Sequence, residues 1–167
     1  MKAPASSRRP GTSTILLVED DVRDVRILRE AIREAAIDAE IQIAPNGDEA
    51  LRMLRRLPPY QGLACPDLVL LDLNLPLKNG REVLAEIRTD AALRLLPVVI
   101  LTTSTHADDV VACYGLHANG YLAKPIDFAE FTRMVRSLHE YWCCQTVLLP
   151  KPDGSSGAGA CKSFHGA

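Results

Sequence analysis

The chain has 167 residues, 47% of them apolar, with 19 lysines and arginines against 21 aspartates and glutamates. That is enough chain for one domain with a substantial core and too little to expect two. A net charge of −2 gives no general attraction to nucleic acid or to an anionic membrane, and no apolar run approaches the length of a bilayer span.

Residues 1–13, MKAPASSRRPGTS, are polar with Pro and Gly and read as a flexible arm; Arg8-Arg9 lacks the apolar region that an export signal needs behind it. TILLVE, over 14–19, is short and continuously apolar, as a parallel strand covered on both faces would be. From Val22 the apolar positions change to Val25, Leu28, Ile32 and Ala35, a helical spacing. EIQIA (40–44) is a second strand. Asn46 with Glu49 three residues later resembles a capping box for a helix carrying Leu51, Leu54 and Leu57, which Pro58-Pro59 stops. DLVLLD (67–72) is the most apolar strand, and a turn around Pro76 and Asn79-Gly80 leads into a helix with Val83, Leu84 and Ile87. PVVIL (97–101) is a fourth strand, followed by a helix over roughly 107–117 and a short strand, GYLA (120–123). Asp127 and Glu130 cap a last helix whose apolar stripe is Phe128, Phe131, Val135, Leu138 and Trp142. Residues 143–167, rich in Gly, Ser and Ala towards the end, read as a flexible tail with no output domain after it.

Five strands alternating with five helices predict an α/β domain over 14–142, a doubly wound parallel sheet with helices on both faces. Sequence does not fix the strand order, but 2-1-3-4-5, flavodoxin-like, is the common solution for five strands. The five cysteines, at 65, 113, 143, 144 and 161, are odd in number with no C-x-x-C, and read as thiols rather than bridges or zinc ligands. The four histidines show no metal-ligand spacing. With no export or membrane segment the protein reads as cytoplasmic.

In such a sheet the functional groups gather beyond the carboxyl ends of the strands. Here that edge holds Glu19-Asp20-Asp21, then Asp72, Thr102-Thr103-Ser104, and Lys124-Pro125. Adjacent carboxylates repel by roughly 4 kcal/mol per close pair at an effective dielectric of about 20, so a strand ending in three of them needs an offset. Strands one and three side by side would bring Asp72 to the same place, and a hard divalent cation would turn repulsion into coordination. Magnesium suits an oxygen-only shell that keeps waters and accepts a phosphoryl oxygen.

The blocks VEDD, LLDLNLPLKNG, LTTS and NGYLAKP, in that order, resemble the receiver domain of two-component response regulators over about residues 13–142. The resemblance implies that Asp72 accepts a phosphoryl group from a sensor histidine kinase. It implies that Glu19, Asp20, Asp72 and the main-chain carbonyl of Asn74 hold Mg²⁺, and that Thr102 and Lys124 bind the phosphoryl group. It further implies that Thr102 and Tyr121 form the switch, that the side chains of Asn74 and Ser104 tune the phosphoryl lifetime, and that a cis bond before Pro125 aims the lysine. The roles agree with the chemistry. A carboxylate attacks phosphorus in line only when the charges around it are neutralised, and a new anionic oxygen gives the threonine hydroxyl a bond it lacks beforehand.

Read singly, these residues have blander roles: Asp20 and Asp21 as helix caps, Thr103 and Ser104 as solvated loop, Tyr121 as an edge aromatic. Four strand ends carrying matched groups favour the joint reading for Asp20, whereas Asp21 suits a cap. A haloacid-dehalogenase-like phosphatase, the enzyme alternative, needs a second Asp two residues after the nucleophile, where Asn74 stands. A flavin-binding module would want a phosphate-cradling loop after strand one, and VEDD would repel a phosphate. The chain therefore reads as a phosphoacceptor rather than an enzyme, with self-phosphorylation from small donors and autodephosphorylation as its own chemistry. LTTS, NGYLAKP and FAEFTRMVRSLHEYW more narrowly resemble the stand-alone receivers paired with bacterial phytochromes. That likeness implies a phytochrome-type kinase partner and a homodimer through the last helices and fifth strand.

Overall fold

The computed structural model describes residues 12–146. Its elements are β1 (Ser13–Val18), α1 (Val22–Glu34), β2 (Ala39–Ala44), α2 (Gly47–Leu54), β3 (Leu68–Leu71), α3 (Gly80–Thr89), β4 (Val98–Thr102), α4 (Ala107–Gly115), β5 (Gly120–Ala123) and α5 (Phe128–His139). α5 runs on into a π-helical segment, Glu140–Gln145. The strands form one parallel sheet in the order β2-β1-β3-β4-β5, as expected.

Side chains alternate across this sheet because successive Cβ atoms of a strand point to opposite faces. Leu16, Val18, Val69, Leu71, Val98 and Ile100 pack towards Leu51, Leu54, Val83, Leu84 and Ile87 of α2 and α3. Ile15, Leu17, Leu68, Leu70, Val99 and Leu101 pack towards Leu28 and Ile32 of α1 and Phe131 and Val135 of α5. The two layers follow from crossover handedness. The chain steps from β1 outward to β2, then back past β1 to β3, and right-handed crossovers in opposite directions leave α1 and α2 on opposite faces. The central strands are buried throughout, which explains their unbroken apolar runs.

Helix starts follow the sequence signals. Asp21, Asn46, Asn79 and Asp127 are N-caps accepting main-chain N–H bonds, and Asn79 with Glu82 completes a reciprocal capping box. Helix ends do not. α1, α2 and α4 stop at Ala36, Arg56 and His117, each with positive φ (52°, 51° and 61°), and the next N–H bonds back to Ile32, Arg52 and Cys113 respectively. This is the closure usually made with glycine. Consequently α2 ends at Leu54, and Leu57, expected on the helix, lies beyond it and is exposed.

Other boundaries move by a residue or a few. Ser13, assigned to the arm, pairs with Ala39 and is buried, because a strand ladder uses main-chain groups whatever the side chain. The helical run continues past 142 to Gln145. The rest of the expected arm and tail, with Arg8-Arg9 and Cys161, lies outside the described residues. Cys65, Cys113 and Cys143 keep their thiols, but Cys144 is disulfide-bonded, which corrects the expectation of thiols throughout. Neighbours on a helix point in different directions, and Cys143 turns into the core while Cys144 is only partly buried. No helix among the described residues is long and apolar enough to cross a membrane.

Candidate functional site

Because all five strands are parallel, β1, β3, β4 and β5 deliver their last residues to one edge. Glu19 continues the β1 ladder, its N–H donating to the Ala44 carbonyl at 3.0 Å, and Asp72 continues β3, donating to the Val18 carbonyl at 3.1 Å. Both side chains are buried, and both reach the ammonium of Lys124, which follows β5. Lys124 Nζ lies 2.5 Å from Glu19 Oε2 and 2.7 Å from Asp72 Oδ2. A third carboxylate, Asp24 on the first turn of α1, stands 2.7 Å from the same nitrogen. Oxygens of Glu19, Asp24 and Asp72 all lie within 4.8 Å of one another.

Of the acids expected to hold the metal, Glu19 and Asp72 meet here; Asp20 is exposed and outside this group, and Asp24, not expected, joins it. Beyond β1 the alternation that turns Glu19 inward turns Asp20 outward. Asp21 then caps α1 through the Arg23 N–H, and its carboxyl, bonded to the Arg23 side chain and N–H, is held at about 2. A helix so capped brings Asp24 back over the strand end. That position, the third residue of α1, was the available signal in the sequence.

The remaining predicted residues surround Asp72. The Asn74 N–H donates to Asp72 Oδ1 at 3.1 Å, while its own side chain is exposed. Thr102, fully buried, stands close enough to Asp72 to help lower its carboxyl, and accepts the Ser104 N–H on Oγ1 at 3.3 Å. The Tyr121 hydroxyl donates to the Ser104 carbonyl at 2.9 Å, and its ring packs against the α2–α3 side of the core. Ser104 Oγ donates to Asp109 of α4 at 2.6 Å, and Asp109 pairs with Arg81 of α3 at 3.3 Å. The expected cis bond before Pro125 is absent: the cis bond among the described residues joins Pro58 and Pro59. An X–Pro amide prefers trans by about 0.5–1 kcal/mol, and Lys124 reaches all three acids without the isomer.

Burial is the largest single influence on each of these groups, upward on the carboxyls and downward on the ammonium, but it prevails only at Glu19. Burial raises the Glu19 carboxyl above its ordinary value despite the Lys124 ammonium. At Asp72 burial also pushes upward, yet the Lys124 bond, the Asn74 N–H and the Thr102 hydroxyl together outweigh it and lower the carboxyl. Asp72 is therefore the acid whose charged form its hydrogen-bond partners favour most. Burial would strip the proton from Lys124, but bonds to Asp24, Asp72 and Glu19 outweigh it and hold the ammonium above its ordinary value.

Gly80, at the start of α3, packs on the backbone beneath Asp72. A Cβ there would lie 2.2 Å from the Asp72 carbonyl oxygen and 2.8 Å from the Leu73 Cα. The contact makes glycine the residue that lets α3 seat against the end of β3.

Residues 15–136 match the family model described as the response regulator receiver domain. The chain belongs to this family. It is 45% identical over 136 residues to the response regulator Rcp1 of Synechocystis sp., spanning 81% of this chain and 92% of that one. The structure of Rcp1 in its Mn²⁺-bound form superposes with a TM-score of 0.75 at 42% identity, covering 82% of this chain and 99% of that one. The phosphorylated cyanobacterial phytochrome response regulator RcpA gives 0.77 at 40% identity, covering 82% and 98%. A response regulator in red light signalling of R. palustris gives 0.79 at 32% identity, covering 83% and 99%. As a receiver domain, the chain is a signalling module, and the haloacid-dehalogenase-like alternative finds no support.

Proposed function

We propose that this chain is a stand-alone response regulator whose Asp72 takes a phosphoryl group from a sensor histidine kinase of phytochrome type. The observation that carries the reading is the placement of Asp72: an ionised carboxylate within 2.7 Å of Lys124, facing acids from β1 and α1. In the transfer, an Asp72 Oδ attacks phosphorus in line, a P–O bond forms, and the P–N bond to the kinase imidazole breaks with the electron pair returning to nitrogen. Lys124 gives its hydrogen bond from Asp72 to a phosphoryl oxygen, and Thr102 supplies a hydroxyl to another.

The donor set fits a hard divalent cation. Three carboxylates face one ammonium, leaving an excess of two negative charges among oxygen ligands, the kind that suits Mg²⁺. Glu19, Asp20 and Asp72 would hold it with the Asn74 carbonyl, and Asp24 stands beside Glu19 and Asp72. Bound there, Mg²⁺ supplies charge neutralisation for the incoming phosphoryl group.

Thr102 and Tyr121 form the switch, linked through Ser104, whose side chain with that of Asn74 borders the phosphoryl position and tunes its lifetime. A second copy pairs along the last helices and β5: Tyr141 is exposed, while Trp142, edge-on to it at 5.2 Å, packs into its own core. Incubation with acetyl phosphate and Mg²⁺, read by intact mass and a phosphate-affinity gel, tests the reading. One phosphoryl adduct is expected on the wild type and none on Asp72→Asn; an adduct persisting in the variant, or none on the wild type, refutes it. Light scattering on the same samples reads the dimer.

A further inference from the structure

Lys124 has three ammonium hydrogens and three carboxylate acceptors, and the acceptors are not equivalent. Glu19 and Asp72 sit on adjacent strands with side chains 3% and 7% exposed. Asp24 belongs to α1 and is 32% exposed. An acid in the first turn of a helix is favourable simply through the helix dipole. That explanation does not account for where its oxygen goes: Oδ2 meets a nitrogen a hundred residues away in sequence.

The consequence concerns what Lys124 must give up. A divalent cation held by Glu19 and Asp72 competes with the ammonium for the same two carboxylates. Without a third acceptor, the ammonium would have Glu19 and Asp72 as its sole ionic partners and would resist displacement from both. With Asp24 present, Nζ keeps a charged partner on α1 while it yields the buried pair.

We propose that Asp24 is a positioning residue for Lys124, holding the ammonium towards α1 so that Glu19 and Asp72 can be released to a cation and Asp72 to phosphorylation. This rests on the reading of the pocket as the phosphoacceptor site. Asp24 acts through Lys124, which separates it from a ligand that acts on the cation itself.

The test is a double-mutant cycle on Mn²⁺ affinity, measured by electron paramagnetic resonance of free Mn²⁺, in wild type, Asp24→Asn, Lys124→Gln and the double variant. Removing the Asp24 charge weakens Mn²⁺ in both backgrounds. The loss is expected to be about tenfold larger where Lys124 is present, because there the freed ammonium falls back on Glu19 and Asp72. Asp24→Glu, which keeps the charge on a longer arm, restores affinity in the Lys124 background. Equal losses in the two backgrounds would make Asp24 a direct partner of the cation and overturn the proposal, as would a larger loss with Lys124→Gln or no loss in either. Acetyl phosphate labelling of the wild type separates the two levels. A labelled wild type with equal losses defeats the positioning role alone, whereas an unlabelled wild type defeats the phosphoacceptor reading and this role with it.

Discussion

Replacing Lys124 by Met keeps an unbranched side chain of similar reach and removes the ammonium. The side chains of Lys124, Glu19 and Asp72 are 9%, 3% and 7% exposed, so the charges left behind are buried. Breaking a buried pair by deleting one partner costs about 3–5 kcal/mol, and the lower end, about 3 kcal/mol, applies because Asp24 opens the group to solvent. The deficit depends on pH with a definite sign. Burial already raises Glu19, and Asp72 sits below its ordinary value because Lys124, Asn74 and Thr102 outweigh burial. Without the ammonium both carboxyls shift upward. A carboxyl whose folded value exceeds its unfolded one is no burden at low pH and becomes one as pH rises through the folded value. The variant should therefore approach wild-type stability near the ordinary carboxylate range, about pH 4, and lose most by about pH 8. Urea unfolding across this range, with and without MgCl₂, measures it. Mg²⁺ at a hundred times its dissociation constant should return about 2.7 kcal/mol by mass action. A deficit that stays constant with pH, or no deficit at neutral pH without metal, would show that the ammonium does not offset these charges.

Gly80→Ala drives a methyl group into the Asp72 carbonyl, and neither partner is a flexible side chain that could swing away. It should lower stability by about 1–3 kcal/mol in urea and slow acetyl phosphate labelling on the order of a hundredfold, since the backbone of the attacking residue must shift; wild-type values in both assays would mean that α3 retreats freely. Tyr121→Phe deletes the bond to the Ser104 carbonyl at a cost of about 1 kcal/mol or less. Labelling should be unchanged, while amide hydrogen exchange at Ser104 should quicken. His139 bonds Ser13 Oγ through Nε2 at 3.1 Å, and burial, outweighing Glu140 and Asp38, holds its imidazole below the ordinary value. The unfolded chain then binds a proton first, so stability falls as pH drops through about 6.5. His139→Gln should flatten that part of the urea midpoint against pH, and an unchanged slope would remove His139 from the account.

The strands and the convergence of Glu19 and Asp72 were legible because each rests on a local signal, whereas the order 2-1-3-4-5 was only the commonest arrangement for five strands. An unbroken apolar run such as DLVLLD suits a strand covered on both faces, and parallel strands must send Glu19, Asp72, Thr102 and Lys124 to one edge. What was not legible depended on three-dimensional return of the chain. Asp24 joins the pocket only because Asp21 caps α1 at an angle that folds its first turn over β1, and Asp20 is turned outward by the same geometry. The end of α2 was placed too late, at Pro58-Pro59, because Arg56 adopts the left-handed conformation without being glycine and so gave no earlier stop signal. The trans bond at Pro125 was equally invisible, since the two isomers of an X–Pro amide lie within about 1 kcal/mol.

In the proposed switch, Thr102 is the member through which a charge at Asp72 would reach the surface. A chain of hydrogen bonds carries a change only where one member has two distinct arrangements. Asp109 is fixed between Ser104 and Arg81, and the Tyr121 hydroxyl is committed to a carbonyl. Thr102 differs because it lies beside Asp72, whose carboxyl it helps to lower, while its hydroxyl oxygen accepts the Ser104 N–H. A phosphoryl oxygen offers that hydroxyl a stronger acceptor than the carboxylate it replaces, and turning towards it alters the lone pair presented to Ser104. Ser104 is the shared residue, with its N–H on Thr102, its carbonyl on Tyr121 and its hydroxyl on Asp109, so a small rotation at the end of β4 acts on α4 and β5 together.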